Sequence, residues 1–185
     1  MTAINQSIHR SIQTHTQTKE KKMNYEPQSL YSEIAPNLFM GGTDDNDVIH
    51  FPARINRRVD MPFDAIVTMY AWAQPADWRV QEFRYGVPDA AIADIDLSRL
   101  KQAVEFGYNR WMAGDRVLVR CQAGLNRSGL VTALILMSTG LDAETAIKEI
   151  RKNRAGMALF NHDYVNWLLN EGAQFIAPAP LAQSA

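Results

Sequence analysis

The chain has 185 residues with 19 Lys and Arg against 20 Asp and Glu, so its total charge selects neither a polyanion nor an anionic membrane as the main partner. Hydrophobic residues make up 46%, enough for the core of one ordinary domain. No stretch approaches the roughly 18 uncharged apolar residues of a membrane span, and the single cysteine excludes an intramolecular disulfide, which suits a reducing cytoplasm.

Residues 1–29, rich in Thr, Gln, Ser, Lys and Asn, read as a mobile tail in which Met23 is an alternative start. Residues 30–175 are expected to form the domain, and 176–185 a Pro/Ala tail. Glu33 to Met40 (EIAPNLFM) predicts one short strand interrupted by Pro36, followed by a turn through Gly41, Gly42, Thr43, Asp44 and Asp45. Asp44, Asp45 and Asp47 lack the glycine and terminal glutamate of a calcium loop and read as solvated turn acids. Phe63 to Tyr70 suits a buried strand and Glu82 to Val87 another, ending at Pro88; Trp72 and Trp78 between them are expected to pack.

Leu97, Leu100, Val104, Tyr108 and Trp111 recur at helical spacing, with Asp96 or Ser98 as cap and Gly114 as terminator. Val117 to Val119 predicts a buried strand, and Ser128 to Thr139 an apolar helix closed by Gly140. Asp142 or Thr145 can cap a helix through Arg154, and Asn161 one running to about Asn170. Strands mixed with helices, then helices alone, indicate an α/β or α+β sheet with covering helices.

Between the Val-rich strand and the apolar helix lies Cys121-Gln122-Ala123-Gly124-Leu125-Asn126-Arg127-Ser128. A strand that ends in a glycine-bearing loop and opens into a helix converges backbone N–H groups and a helix dipole on one spot, which is a phosphate site. Cys121 at the strand end sits beneath that spot, where the dipole and a fixed guanidinium favour thiolate over thiol. Arg127 can return across the loop and hold two phosphoryl oxygens in its planar fork. Asn126 can bond a loop carbonyl or substrate, and loop structure is the preferred reading.

Cys121 through Arg127, followed by Ser128, resembles the Cys-x5-Arg signature of protein tyrosine and dual-specificity phosphatases. Glu33 to Gly42 resembles the opening strand of the dual-specificity group. Ala146-Ile147 to Ile150-Arg151 with Arg154 resembles its helix after the loop, and Asn161-His162-Asp163-Tyr164 with Leu168 its closing helix. The resemblance implies an α/β fold with a central mixed, mainly parallel sheet flanked by helices. It implies a phosphocysteine mechanism on a phosphorylated protein or peptide, with no metal or cofactor. The general acid should be an aspartate about thirty residues before the cysteine. Asp89, after Tyr85-Gly86-Val87-Pro88, is the first choice and Asp94 the second; Asp94 and Asp96 also read as helix-start acids. Ser128 would help the thiolate leave. In this chain Arg120 stands where the family usually has His, and strand alternation turns it away from Cys121 towards a carboxylate partner. Phosphotyrosine, with phosphoserine and phosphothreonine, is the expected substrate. Related domains supply three alternatives: an RNA 5′-triphosphatase, the one nucleic-acid reading; a phosphoinositide phosphatase; and a phosphate-binding pseudophosphatase.

Overall fold

The EIAPNLFM segment forms two strands where one interrupted strand was expected. Pro36 removes a ladder donor and Asn37 takes the left-handed conformation at φ +66°, so Pro36-Asn37 turns the chain between β1 (Tyr31–Ala35) and β2 (Leu38–Gly41), which pair antiparallel. The Glu33 carboxylate accepts the Asn37 N–H at 2.9 Å and fixes the turn. This computed structural model describes residues 24–43 and 63–176; residues 1–23 and 177–185, from the two expected tails, and Asp44, Asp45 and Asp47 lie outside the described residues. Asn24 and Tyr25, within the expected N-terminal tail, accept backbone hydrogen bonds from Gly156 and Met157 at 2.7 and 3.0 Å, which lays the end of that stretch against the domain.

β3 (Ala65–Thr68) and β4 (Gln81–Arg84) follow. A 3-10 turn at Ile92–Asp94 then leads to α1 (Leu97–Met112), β5 (Val117–Arg120) and α2 (Arg127–Met137). α3 (Ala143–Asn153), α4 (His162–Asn170) and α5 (Gly172–Ile176) complete the chain. The sheet order is β1-β2-β5-β3-β4, with only β1 antiparallel, so the sheet is mixed and mainly parallel.

Side-chain alternation divides the core in two. Ala65, Val67, Val117, Val119 and Cys121 join the large cluster with the helices. Ile66 and Leu118 face the other way, into a small cluster with Phe39, Phe63 and Val80 to which no described helix contributes. Arg116 lies over the Phe39 and Phe63 rings, at 5.2 and 5.9 Å from their centroids.

α2 is buried along its whole length, which explains its apolar sequence without an amphipathic period. α1 buries Leu100, Ala103, Val104, Gly107 and Trp111, whereas Leu97 is 40% exposed. Asp96, Asp142 and Asn161 cap α1, α3 and α4 through their side-chain oxygens; Thr145 supplies donors to Asp142 instead of capping. Trp72 and Trp78, expected to pack, are 83% and 88% exposed, because the β3–β4 connection turns Ala73 and Val80 inward in their place.

Candidate active site

β5 carries the chain to the C-terminal edge of the sheet's centre. There Cys121, 1% exposed, lies between β2 and β3 and directly before the loop that enters α2. The loop's shape follows from where its carbonyls go. The Gln122 carbonyl accepts Thr43 N–H at 2.9 Å, the Gly124 carbonyl accepts Arg154 Nε at 3.0 Å, and the Leu125 carbonyl accepts Leu159 N–H at 3.3 Å. In a trans peptide the N–H points opposite to the C=O. With these three carbonyls engaged outside, the N–H groups of Ala123, Leu125 and Asn126 turn inward, and among the described residues no acceptor takes them. That is a concave row of donors suited to an anion.

Glycines at two positions, Gly124 and Gly42, permit the loop to lie this close to β2. Gly124 adopts φ +67°, and a Cβ on it would come within 2.2 Å of the Gly41 carbonyl carbon. A Cβ on Gly42 would meet the Gln122 carbonyl at 2.9 Å. The Gly41-Gly42 pair, read from sequence as a turn, is the floor on which the loop packs.

α2 has no side-chain cap. Its N-cap residue Asn126 spends its amide elsewhere: Nδ2 donates to Asp89 Oδ2 at 3.1 Å, and Oδ1 accepts the Asn161 N–H at 3.0 Å. The first-turn amides and positive dipole end are left for a ligand. The Asn126 side chain thus ties the loop to two other segments and not to a loop carbonyl.

Arg127 is 8% exposed. Its Nη1 donates to the Val87 carbonyl at 3.0 Å and its guanidinium lies over the Tyr70 ring at 5.3 Å. Its Nε is buried without a hydrogen-bond partner among the described residues. A buried guanidinium with an idle N–H is an incomplete site, and an oxyanion completes it. Ser128 Oγ sits 3.3 Å from Cys121 Sγ.

Asp89 lies in the segment after β4, against the start of α2. Asn126 and Asn161 hold its two carboxylate oxygens at 3.1 and 3.3 Å, beside the phosphate loop. Asp94 sits in the 3-10 turn and Asp96 caps α1. Tyr164, buried in α4, donates its hydroxyl to the Pro88 carbonyl at 3.0 Å and so braces the Asp89 loop from below. Burial, then the negative charge of Asp89, pushes that hydroxyl up to about 12.

Arg120 follows the alternation of β5 and points away from Cys121, to the face of Leu118. Fully buried, it donates to Thr68 Oγ1 at 2.9 Å, the Gln74 carbonyl at 2.6 Å and Glu82 Oε1 at 3.1 Å. Glu82 is the carboxylate partner the sequence left unnamed. Burial pushes the Glu82 carboxyl up, but the Thr68 hydroxyl, the Ala76 amide, Arg84 and Arg120 together outweigh it and hold it below the ordinary range. The same carboxylate pins the 73–76 loop, because Arg84, its second cation, also donates to the Ala73 carbonyl at 2.7 Å.

A buried cysteine under an inward-facing amide loop, with an arginine at the start of the following helix, defines a phosphate-loop class of protein. Residues 55–174 match the family model described as dual specificity phosphatase, catalytic domain. The chain is 32% identical over 98 residues to dual specificity protein phosphatases 1-A and 1-B of Xenopus laevis, a stretch covering 53% of this chain and 26% of theirs. It therefore spans about a quarter of the length of these relatives. Human DUSP28 superposes with a TM-score of 0.65 at 21% identity, covering 81% of this chain and 97% of that one. Tk-PTP in its active form gives 0.62 at 21% identity, covering 80% and 98%. These structural likenesses show the shared fold. The chain belongs to the dual specificity phosphatase family. Among the described residues no helix is long and apolar enough to cross a membrane.

Proposed function

We propose that the chain is a cysteine-dependent protein phosphatase that hydrolyses phosphotyrosine, and phosphoserine or phosphothreonine, through a phosphocysteine intermediate. The observation that carries this reading is the buried Arg127 with its idle Nε, placed at the uncapped start of α2 and six positions after Cys121. Phosphate in the loop would receive that N–H and the inward amides at once, and its charge would be spread over donors already fixed in place. Cys121 Sγ attacks phosphorus in line, the bond to the leaving oxygen breaks, and Asp89 gives that oxygen its proton. Water then attacks phosphocysteine with Asp89 as base, while Ser128, 3.3 Å from the sulfur, donates to the departing thiolate. The chemistry needs no cofactor, and a lone thiol of this kind fits a reducing cytoplasm.

The test is p-nitrophenyl phosphate turnover by the wild type, Cys121→Ser and Asp89→Ala. Wild-type turnover with loss in Cys121→Ser supports the enzyme. Equal background in both sinks it and leaves a binding module. A panel of phosphopeptides, phosphoinositides and 5′-triphosphorylated RNA then assigns the substrate; retention of RNA triphosphatase activity by Asp89→Ala would overturn the protein-substrate reading.

A further inference from the structure

Every residue from Pro88 to Ala91 is exposed, so apolar packing does not fix the stretch that carries Asp89. Hydrogen bonds hold it instead, and they come from the start of α4, 71 to 76 residues further along the chain. The Asn161 amide donates to Asp89 Oδ1 at 3.3 Å and to the Ala90 carbonyl at 2.9 Å. The Tyr164 hydroxyl donates to the Pro88 carbonyl at 3.0 Å, and the Asp163 carboxylate accepts the Ile92 N–H. Pro88, Asp89, Ala90 and Ile92 are thus all held from one helical turn.

Asn161 is the centre of this arrangement. Its Oδ1 caps α4 by accepting the Asp163 and Tyr164 N–H groups at 3.0 and 3.3 Å, while its Nδ2 serves Asp89 and Ala90. Its backbone N–H donates to Asn126 Oδ1 at 3.0 Å, and Asn126 Nδ2 donates to the other Asp89 oxygen at 3.1 Å. Asn126, Asp89 and Asn161 therefore close a ring that joins the phosphate loop, the carboxyl and α4. A cap needs only an oxygen, which Ser, Thr or Asp would supply as well. Among the good caps, Asn alone can cap the helix and donate to a carboxyl at the same time.

We infer that the start of α4 positions the general acid: Asn161 through its amide, and Tyr164 through its hydroxyl, are positioning residues that set Asp89 against the phosphate loop before substrate arrives. This rests on Asp89 being the acid. Each carboxyl oxygen has two acceptor directions and gives one to an amide, so Asp89 can carry a proton and pass it on with both bonds in place. A carboxyl oriented through both oxygens spares the reaction an ordering step. Asp89 itself is exposed, which leaves it open to the leaving oxygen.

Asn161→Ser keeps a capping oxygen and removes both amide donors. The measurement is kcat/KM on phenyl phosphate, whose leaving group needs a proton, against p-nitrophenyl phosphate, whose leaving group hardly does. Asn161→Ser should lower the first about tenfold, part of the roughly hundredfold that an acid supplies, and the second by no more than about twofold. In an Asp89→Ala background the same change should cost nothing further on either substrate, because the group it positions is gone. Equal falls on the two substrates, an undiminished fall in the Asp89→Ala background, or wild-type kinetics in folded Asn161→Ser would each overturn the inference. Circular dichroism checks that the variants are folded. If Asn161→Ser does not fold, Tyr164→Phe decides, since it loses only one hydroxyl. A fall of about threefold confined to phenyl phosphate, and absent in the Asp89→Ala background, supports the inference; no selective fall overturns it. Failure of the acid reading looks different: Asp89→Ala alone would then hydrolyse phenyl phosphate as the wild type does, and the inference would fall with it.

Discussion

Replacing Arg120 with Met removes at least three hydrogen bonds and one partner of a buried ion pair, while leaving a side chain of similar length on the Leu118 face. Removing one partner of such a pair ordinarily costs about 3–5 kcal/mol, since the other charge stays buried. Glu82 would still hold Thr68 Oγ1 at 2.6 Å, the Ala76 N–H at 3.0 Å and Arg84 Nη1 at 2.8 Å, so the lower end, about 3 kcal/mol, applies. For a domain of this size that is a fall in melting temperature of roughly 6–12 °C. Thermal melts of Arg120→Met, Glu82→Gln and the double variant form a cycle, and the double variant should regain part of the loss because no charge is stranded. The Glu82 carboxyl is held below its ordinary value of 4.5, so its contribution is complete above that pH and lost as pH falls through the lower folded value. The gap between wild type and Glu82→Gln should therefore close in acid. Turnover of folded Arg120→Met should stay within a few-fold of wild type, as the side chain points away from Cys121. Additive single effects, or a wild-type melting temperature in Arg120→Met, would refute the pairing.

Asp89→Asn should lower kcat on a poor leaving group by about 100-fold, with less effect on a good one, as general-acid catalysis requires; a leaving-group series checks it. Asn126→Ala breaks the link between the phosphate loop and Asp89 as well as the bond to Asn161 N–H, for a stability loss of about 1–3 kcal/mol read by urea denaturation. Its kcat should fall with little change in KM if the acid is misplaced. Ser128→Ala should slow breakdown of phosphocysteine more than its formation, giving a burst of p-nitrophenol followed by slow steady turnover. Gly124→Ala puts a Cβ 2.2 Å from the Gly41 carbonyl carbon at a positive φ, and should abolish vanadate protection of Cys121 in a chain that still melts cooperatively.

Local features were legible in the sequence and long-range ones were not. Asp96, Asp142 and Asn161 are caps because their partners lie two or three residues on, a spacing that shows in any reading. The Cys121 to Ser128 segment was legible for the same reason, since strand, loop and helix are contiguous. Pro36-Asn37 was a turn signature hidden by an apolar run on both sides. Glu82, Tyr70, Tyr164 and the direction of Arg154 had no local signal, as each meets the site only once parallel strands and two later helices have come together. Trp72 and Trp78 were misjudged because bulk and apolarity say that a side chain gains from burial, and say nothing about which way its loop turns.

The alternation of β5 joins the chemistry to the stability of the site. Val117, Val119 and Cys121 share the face that meets the helices; Leu118 and Arg120 share the other. The strand register Thr68↔Arg120 sets Arg120 beside Thr68, and Ile66↔Glu82 and Thr68↔Arg84 bring the carboxylate and a second guanidinium to the same edge. A one-residue slip of β5 would exchange the faces, turning the cysteine towards Glu82 and the arginine into the phosphate loop. The buried Arg120–Glu82 pair penalises that slip, because Arg120 would abandon a buried carboxylate and Cys121 would leave the amide row. In this chain the residue before the cysteine therefore serves the loop by holding the register of the strand that feeds it.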